Sequence, residues 1–436
     1  MTTHATTASP IKATTRVTRG TRHKQARKER RSKRIPKDAL IIGVDLAREN
    51  QAICFMHHEK VLGRISCQLA PMQFETIFEA ADSVCQKHHL TQQVWAMEPT
   101  GHYWMLLAEQ CERHGRDYVL IHPLSVARQR ETENFNREKS DPRDAELIAT
   151  LATQGRIIDT VLPSTAERAA LQDLAYAYFS VRSLSASAKT ALYNFWHRLL
   201  PEFFDHLKNV DGLTALAIGR ALVPFSQLSQ WTKAQWLEKV KALVPKQRIL
   251  RSRVMAIYDA ILLAAADPHR RSGEGMPWRI RHAAERRVLL QTQKQELRDL
   301  ILEHYRATEE SLYLDSIAGS DPLYNALTLG LIGDFQAYDH PRTLVKLAGT
   351  EINMFTSGDS VKNSRISHRG RRRLRAAAYL QARYLVKRNT CYAQRFISLR
   401  KTKKLREIQC YVAIANSYLR TAHALVTQKK FYSSPQ

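Results

Sequence analysis

Acidic residues are scarce in this chain: 41 Asp and Glu stand against 67 Lys and Arg, a net charge of +26 over 436 residues. A surplus that large argues for a polyanionic partner, either nucleic acid or a membrane surface. Cysteine is scarce as well. The six residues Cys54, Cys67, Cys85, Cys111, Cys391 and Cys410 include no Cys-x-x-Cys pair. That spacing supports neither a zinc ribbon nor a redox motif, and free thiols in a reducing cytoplasm are the expectation. No apolar run approaches the roughly 20 residues of a membrane helix, and no secretory hydrophobic stretch lies near the start. A soluble protein with no membrane partner is expected. The positive charge is spread over several regions, which favours nucleic acid over a lipid-facing helix.

The length exceeds one ordinary core, and 44% hydrophobic residues are enough for several packed domains. Residues 1–34 carry eleven Lys and Arg and a single acid, Glu29, among Thr, Ser and Ala. Residues 1–38 therefore read as a disordered basic tail suited to nonspecific phosphate contact. From Ala39 the pattern changes. Ala39–Asp45, Gln51–Met56 and Val61–Ser66 read as three strands joined by tight turns. A helix over 72–88 follows, then a strand over Val94–Glu98 closed by Pro99-Thr-Gly101, a helix over 103–114, a strand over 118–121, and two helical segments, the second from Asp141. Three strands in sequence predict an antiparallel meander, and the later alternation predicts parallel additions. That mixture is a ribonuclease H-like layout over residues 39–160.

Two acids end strands in this layout, Asp45 and Glu98. Two more, Asp141 and Asp144, lie three residues apart at a helix start, on one helical face. Taken alone, the second pair also fits an ordinary helix start, with Pro142 in the first turn and acids favouring the dipole. Four carboxylates at one sheet edge suit hard divalent cations, Mg²⁺ or Mn²⁺, and two such ions serve phosphodiester chemistry.

Gly43-Val-Asp45, Met97-Glu-Pro-Thr-Gly-His-Tyr-Trp104 and Lys139-Ser-Asp-Pro-Arg-Asp-Ala145 closely resemble the DEDD motif of the one-hundred-and-ten family of bacterial insertion-sequence transposases. The resemblance implies a RuvC-like domain in which Asp45, Glu98, Asp141 and Asp144 bind the metal. Lys139 precedes the last two acids and Arg143 lies between them; both are candidate nucleic-acid contacts, with a structural counter-ion as the equal alternative for Lys139.

Apolar residues recur at spacings of three, four or seven over 165–200, including Leu171, Tyr178, Leu192 and Leu199, which predicts a long amphipathic helix. A second is expected over 286–314. The two can pair as a hairpin or across a dimer. The resemblance favours the dimer, since the family carries a coiled-coil insert used in assembly. Residues 161–314 are thus expected as a helical coiled-coil region with an insert near 211–276, where no chemistry is visible.

Residues 315–436 hold a second constellation. Phe355-Thr-Ser-Gly-Asp-Ser360 reads as a loop, followed by the basic run Lys362, Arg365, Arg369, Arg371, Arg372, Arg373 and Arg375. This resembles the C-terminal serine transposase domain of the same family. Ser357 corresponds to its catalytic serine and Gly370-Arg-Arg-Arg-Leu-Arg375 to its basic helix. Ile317-Ala-Gly-Ser320 departs from the Pro-Gly-Ile-Gly common in the family. No Ser-His-Asp spacing is visible near Ser357, so its activation would come from the acidic site or from His368. The resemblance implies a recombinase that moves its own insertion sequence. It also implies donor and target DNA as partners, a noncoding guide RNA, a homo-oligomer, and a nucleoid-associated bacterial location. The alternative is a Holliday-junction-type endonuclease using only the four acids.

Overall fold

The computed structural model describes residues 34–433 except 49, 69–72, 100, 134–140, 159–164, 268–274 and 358–359. At 73, 133, 141, 353–357 and 360–365 it describes the backbone alone. The chain divides into two compact units between Leu162 and Pro163. Among the described residues no helix is long and apolar enough to cross a membrane.

The first unit is a mixed sheet with helices on both faces. Strands β1 (Leu40–Asp45), β2 (Asn50–His57) and β3 (Lys60–Gln68) form the antiparallel meander. Helix α1 (Gln73–Lys87) leads to β4 (Gln93–Met97), and α2 (Tyr103–Arg113) leads to β5 (Asp117–Ile121). Helices α3 (Pro123–Glu133) and α4 (Asp141–Thr153) lead to a two-residue β6 (Ile157–Ile158). The strand order is β3-β2-β1-β4-β5-β6, with β4 parallel to β1 and β5 parallel to β4. This is compatible with the expected ribonuclease H-like layout. The added β6 pairs antiparallel with β5; two residues are too few to show a strand period.

The unbroken apolar run of β1 follows from burial on both faces. Leu40, Ile42 and Val44 pack with Phe74, Ile77 and Phe78 of α1 and Leu107 of α2. Ile41, on the other face, packs with Ala145, Ile148 and Ala149 of α4. Each large apolar side chain so buried contributes roughly 1.5–3 kcal/mol. Edge strand β3 instead alternates exposed and half-buried residues from Arg64 to Gln68.

The second unit is mostly helical. Helix α5 (Ala166–Leu199) is capped by Thr165, whose side chain accepts from the Arg168 backbone N–H at 3.3 Å. Short helices follow, among them α6 (Leu213–Ala221), α7 (Lys233–Ala242) and α8 (Arg251–Ala266), before the long α9 (Gly275–Arg306). Helix α9 pairs with α5 within the chain. The pairing is antiparallel: Trp196 and Leu199 share a core with Met276 and Ile280, while Leu171 and Ala175 share another with Ile301 and Tyr305. Midway, Arg287 donates to both carboxylate oxygens of Asp211, at 2.5 and 2.7 Å. Helix α9 begins well before the expected residue 286, because Pro277 sits in its first turn, where a missing N–H costs nothing. It ends at Arg306, where the Thr308 hydroxyl donates to the Tyr305 carbonyl at 2.7 Å.

The remaining elements are α10 (Glu310–Asp315), α11 (Pro322–Ile332), α12 (Arg342–Leu347), hairpin strands β7 (Ile352–Ser357) and β8 (Ser360–Ile366), and helices α13 (Arg372–Arg388), α14 (Thr390–Lys401) and α15 (Glu407–Gln428). Helix α11 is buried from Asn325 to Ile332. It needs an internal polar partner set, which Asn325 supplies. The Asn325 amide donates to Asp315 at 2.9 Å and to the Leu314 carbonyl at 3.1 Å. Its oxygen accepts from Gln381 at 2.7 Å and from Tyr418 at 2.8 Å. A satisfied buried network of this kind fixes how α10, α11, α13 and α15 meet.

Candidate active site

Strands β1 and β4 are parallel neighbours whose last paired residues are Val44 and Met97. Asp45 ends β1, and Glu98 directly follows β4, so the two acids stand side by side on strands ~4.8 Å apart. Alternation sets their face. Ile41 shares the α4-side core with Val94 and Ala96, and a period of two carries the same face on through Gly43 to Asp45 and through Ala96 to Glu98. Both acids are half-buried.

Helix α4 reaches this face because β1 carries glycine at position 43. A Cβ there would lie 2.2 Å from the Ala145 carbonyl oxygen and 2.7 Å from the Ala149 nitrogen. The first turns of α4 therefore rest directly on the β1 backbone, two residues from Asp45. Asp144 immediately precedes Ala145 in this contact and is only 2% exposed. Its buried carboxylate has a specific partner on α3. Arg130 donates from Nε to Oδ1 at 2.9 Å and from Nη2 to Oδ2 at 2.6 Å. This fork holds both oxygens and fixes the plane of the carboxylate. Asp141 opens α4, three residues before Asp144 on the same helical face; its side chain lies outside the described residues, as does all of Lys139. Arg143 is half-buried in the first turn of α4.

In the second unit, Ser357 is the last residue of β7, and its Cα partner is Ser360 at the start of β8. Of the expected loop over 355–360, residues 355–357 end β7 and Ser360 begins β8, with a register irregularity between Phe355 and Thr356; 358 and 359 lie outside the described residues. The side chains of Ser357, Lys362 and Arg365 lie outside the described residues. The rest of the basic run divides by role. Arg371 donates from Nη1 to the Leu331 carbonyl at 2.5 Å, at the end of α11. Arg375 donates from Nη1 to the Ala348 carbonyl at 2.9 Å, just after α12. Both cap helix ends that would otherwise leave carbonyls unpaired. Burial, with Arg372 beside it, lowers the Arg375 guanidinium from its usual range. Arg373 lies over the Tyr176 ring at 4.6 Å from its centre. Arg369 and Arg372 are exposed. Gly370 ties this run to α12: a Cβ there would meet the Leu347 carbonyl oxygen and the Gly349 nitrogen, each at 2.5 Å.

A family model for DEDD transposases of the IS110 type matches residues 42–204. A second, described as transposase IS116/IS110/IS902 family, matches residues 311–397. Together they span more than half of the chain. The chain belongs to the IS110 family of transposases. No curated protein matches it.

The first match takes in Asp45, Glu98, Asp141 and Asp144, and the second takes in Ser357. Sequence reasoning missed Arg130 and the part played by Gly43 in this transposase. Arg130 sits in Pro123–Glu133, whose sequence has little helical amphipathicity, so nothing in the pattern linked it to an acid fourteen residues away. The glycine had a visible signal, a lone glycine inside an apolar strand, which marks a close backbone approach.

On α13, Arg383, Tyr384, Lys387 and Arg388 line a cleft of about 410 Å³ with Tyr324. Arg388 lies over the Tyr384 ring at 4.9 Å. Cations beside aromatic rings suit nucleic-acid bases and phosphates, and the sequence reading passed over this group.

Proposed function

We propose that the transposase cuts and rejoins DNA strands by metal-dependent chemistry at Asp45, Glu98, Asp141 and Asp144, with Ser357 as the nucleophile that links protein to DNA. One observation carries the reading: Asp45 and Glu98 end adjacent parallel strands on the face where α4 crosses Gly43 with Asp144 at the contact. A donor set made only of carboxylate oxygens fits Mg²⁺ or Mn²⁺ and not a thiolate or imidazole metal. These four acids would hold the ions. Bound divalent cations would supply charge neutralisation and activation of oxygen nucleophiles in phosphodiester chemistry.

The chain's own residues do the rest. Asp45 and Glu98 are fixed by strand register, Asp144 by the Arg130 fork. Ser357 Oγ forms its bond to phosphorus as a DNA oxygen leaves. Arg369, Arg372 and the remaining exposed basic residues bind phosphates, and a noncoding guide RNA pairs with donor and target DNA to supply sequence choice. Exchange of several strands requires several active sites, hence a homo-oligomer. We include in this reading a RuvC-like catalytic domain over 39–160, a helical coiled-coil region over 161–314 and a serine domain over 315–436.

A plain four-acid endonuclease would have no use for the second matched region, which favours recombination. The test is cleavage of DNA carrying the ends of its own insertion sequence. Asp45→Asn and Glu98→Gln should each remove Mg²⁺- or Mn²⁺-dependent cutting while the protein stays folded. Undiminished cutting by either variant would defeat the reading.

A further inference from the structure

The end of the sheet away from Asp45 carries a second group of metal-ligating side chains. Strand β2 ends at His57, which pairs with Lys60 across a two-residue turn, His58–Glu59. His58 has φ +52°, in the left-handed region. Along a regular strand, successive side chains point to opposite faces. The left-handed turn undoes that here, and the two imidazole rings lie with centres 4.1 Å apart, tilted by 51°. A third donor comes from the segment leading into β1, which turns through a hydrogen bond from the Ala39 N–H to the Pro36 carbonyl at 3.2 Å. Just inside this turn, Asp38 lies with Oδ1 3.8 Å from His58 Nε2. One donor atom from each of Asp38, His57 and His58 lies within 4.8 Å of the other two.

A second, independent observation points to a ligand. Among the described residues, the Nε2 atom of His57 is buried with no hydrogen-bond partner. An unsatisfied buried polar atom is costly, and an ion or ordered water is the usual resolution.

We propose that Asp38, His57 and His58 form a transition-metal site, taking Zn²⁺ or a similar borderline divalent cation. Two imidazole nitrogens with one carboxylate oxygen are a zinc donor set. They are a poor set for Mg²⁺ or Ca²⁺, which take oxygen ligands. Tetrahedral zinc with bonds of about 2.0–2.1 Å holds its donors about 3.3 Å apart. The 3.8 Å separation of His58 and Asp38 therefore closes with a side-chain movement of roughly half an ångström, and His57, within 4.8 Å of both, closes with a ring movement of up to about 1.5 Å. Solvent supplies the fourth position, since His58 and Asp38 side chains are 62% and 90% exposed.

The bound ion staples the lead-in of β1 to the β2–β3 turn. Strand β1 runs from this end to Asp45 at the other, about 17 Å away at 3.3–3.4 Å per residue. The site is thus separate from the four acids and does not depend on their role.

The experiment uses untagged full-length protein stripped with a chelator and titrated with ZnCl₂ by calorimetry. Co²⁺ as a second probe reports four-coordination by intense visible absorption. Asp38→Asn removes the charged donor, and His58→Asn removes a ring while keeping a residue suited to the left-handed turn, so the hairpin survives. The expected result is one tight equivalent of Zn²⁺, weakened about tenfold or more by each variant, with a Zn²⁺-induced rise in melting temperature that both variants lose. Binding that is unchanged in both variants, or that appears only at millimolar Zn²⁺, overturns the proposal.

Discussion

Replacing Gly43 with alanine tests the junction that brings α4 to the strand ends. The new Cβ would sit 2.2 Å from the Ala145 oxygen, 2.7 Å from the Ala149 nitrogen and 2.8 Å from the Ala149 Cβ. Two of the three are backbone atoms, so no rotamer change relieves the clash. Restoring ordinary contact requires α4 to move outward by roughly 1 Å. Overpacking of this kind costs about 1–3 kcal/mol, which outweighs the ~0.5–1 kcal/mol that alanine gains over glycine inside a strand. The same movement carries Asp141 and Asp144 away from Asp45 and Glu98. A misplacement of ~1 Å in a catalytic constellation lowers the rate by about 10²-fold. Urea unfolding should show a midpoint lowered by the equivalent of ~1–2 kcal/mol, and metal-dependent cleavage should fall about a hundredfold. Gly63→Ala on edge strand β3 is the control, since among the described residues its Cβ would meet only the Phe55 ring, at an ordinary 3.6 Å. A Gly43→Ala protein with unchanged midpoint and full cleavage would refute the argument.

Arg130→Ala leaves the buried Asp144 carboxylate without its partner, at a cost of about 3 kcal/mol; a loss under ~1 kcal/mol in chemical denaturation would show that the fork is not what holds Asp144. Arg371→Ala removes a cap on α11 and should lower stability by ~1–2 kcal/mol. Arg372→Ala should leave stability unchanged and reduce the salt dependence of DNA binding by about one phosphate contact, so equal effects on stability from both would contradict the division. Hydrogen bonds from Arg116, at 2.9 Å to each oxygen, hold the Asp82 carboxyl below its ordinary range. A depressed folded value adds stability above about pH 4 and loses it as pH falls through the folded value. Arg116→Gln should therefore remove a contribution below ~1 kcal/mol at pH 7, small because the Asp82 side chain is 46% exposed, and that difference should vanish at strongly acid pH. Burial pushes the Cys54 thiol up to about 11 and the Cys111 thiol up to about 12, so neither should be alkylated at pH 8 until the protein unfolds.

Much of the first unit was legible in the sequence. Its strands are runs such as Leu40-Ile-Ile-Gly-Val-Asp45, where β-branched residues and bounding turns agree. The four acids stood out as candidates through Gly43-Val-Asp45, Glu98-Pro-Thr-Gly101 and the Asp-x-x-Asp-Ala spacing at Asp141 and Asp144. What remained hidden depends on contacts distant in sequence. The bidentate partner of Asp144 lies on another helix, and no local pattern marks it. The pairing of β7 with β8 is hidden because Asn353, Ser357, Asn363 and Ser364 are weak strand formers and 355–360 reads as a loop, though a Gly-Asp pair between two short segments is a hairpin signal. The early start of α9 was missed because Gly273, Gly275 and Pro277 resemble a loop until Met276 and Ile280 find a core. The basic run looked uniform in sequence, and only tertiary contacts separate the capping Arg371 and Arg375 from the exposed Arg369 and Arg372.

The most direct measurement is a denaturing gel of the transposase incubated with Mn²⁺ and DNA bearing the ends of its own insertion sequence. A covalent protein–DNA adduct is expected with the wild-type chain and none with Ser357→Ala or Asp45→Asn. An adduct that persists in Ser357→Ala would contradict the nucleophile, and one that persists in Asp45→Asn would contradict the acid site.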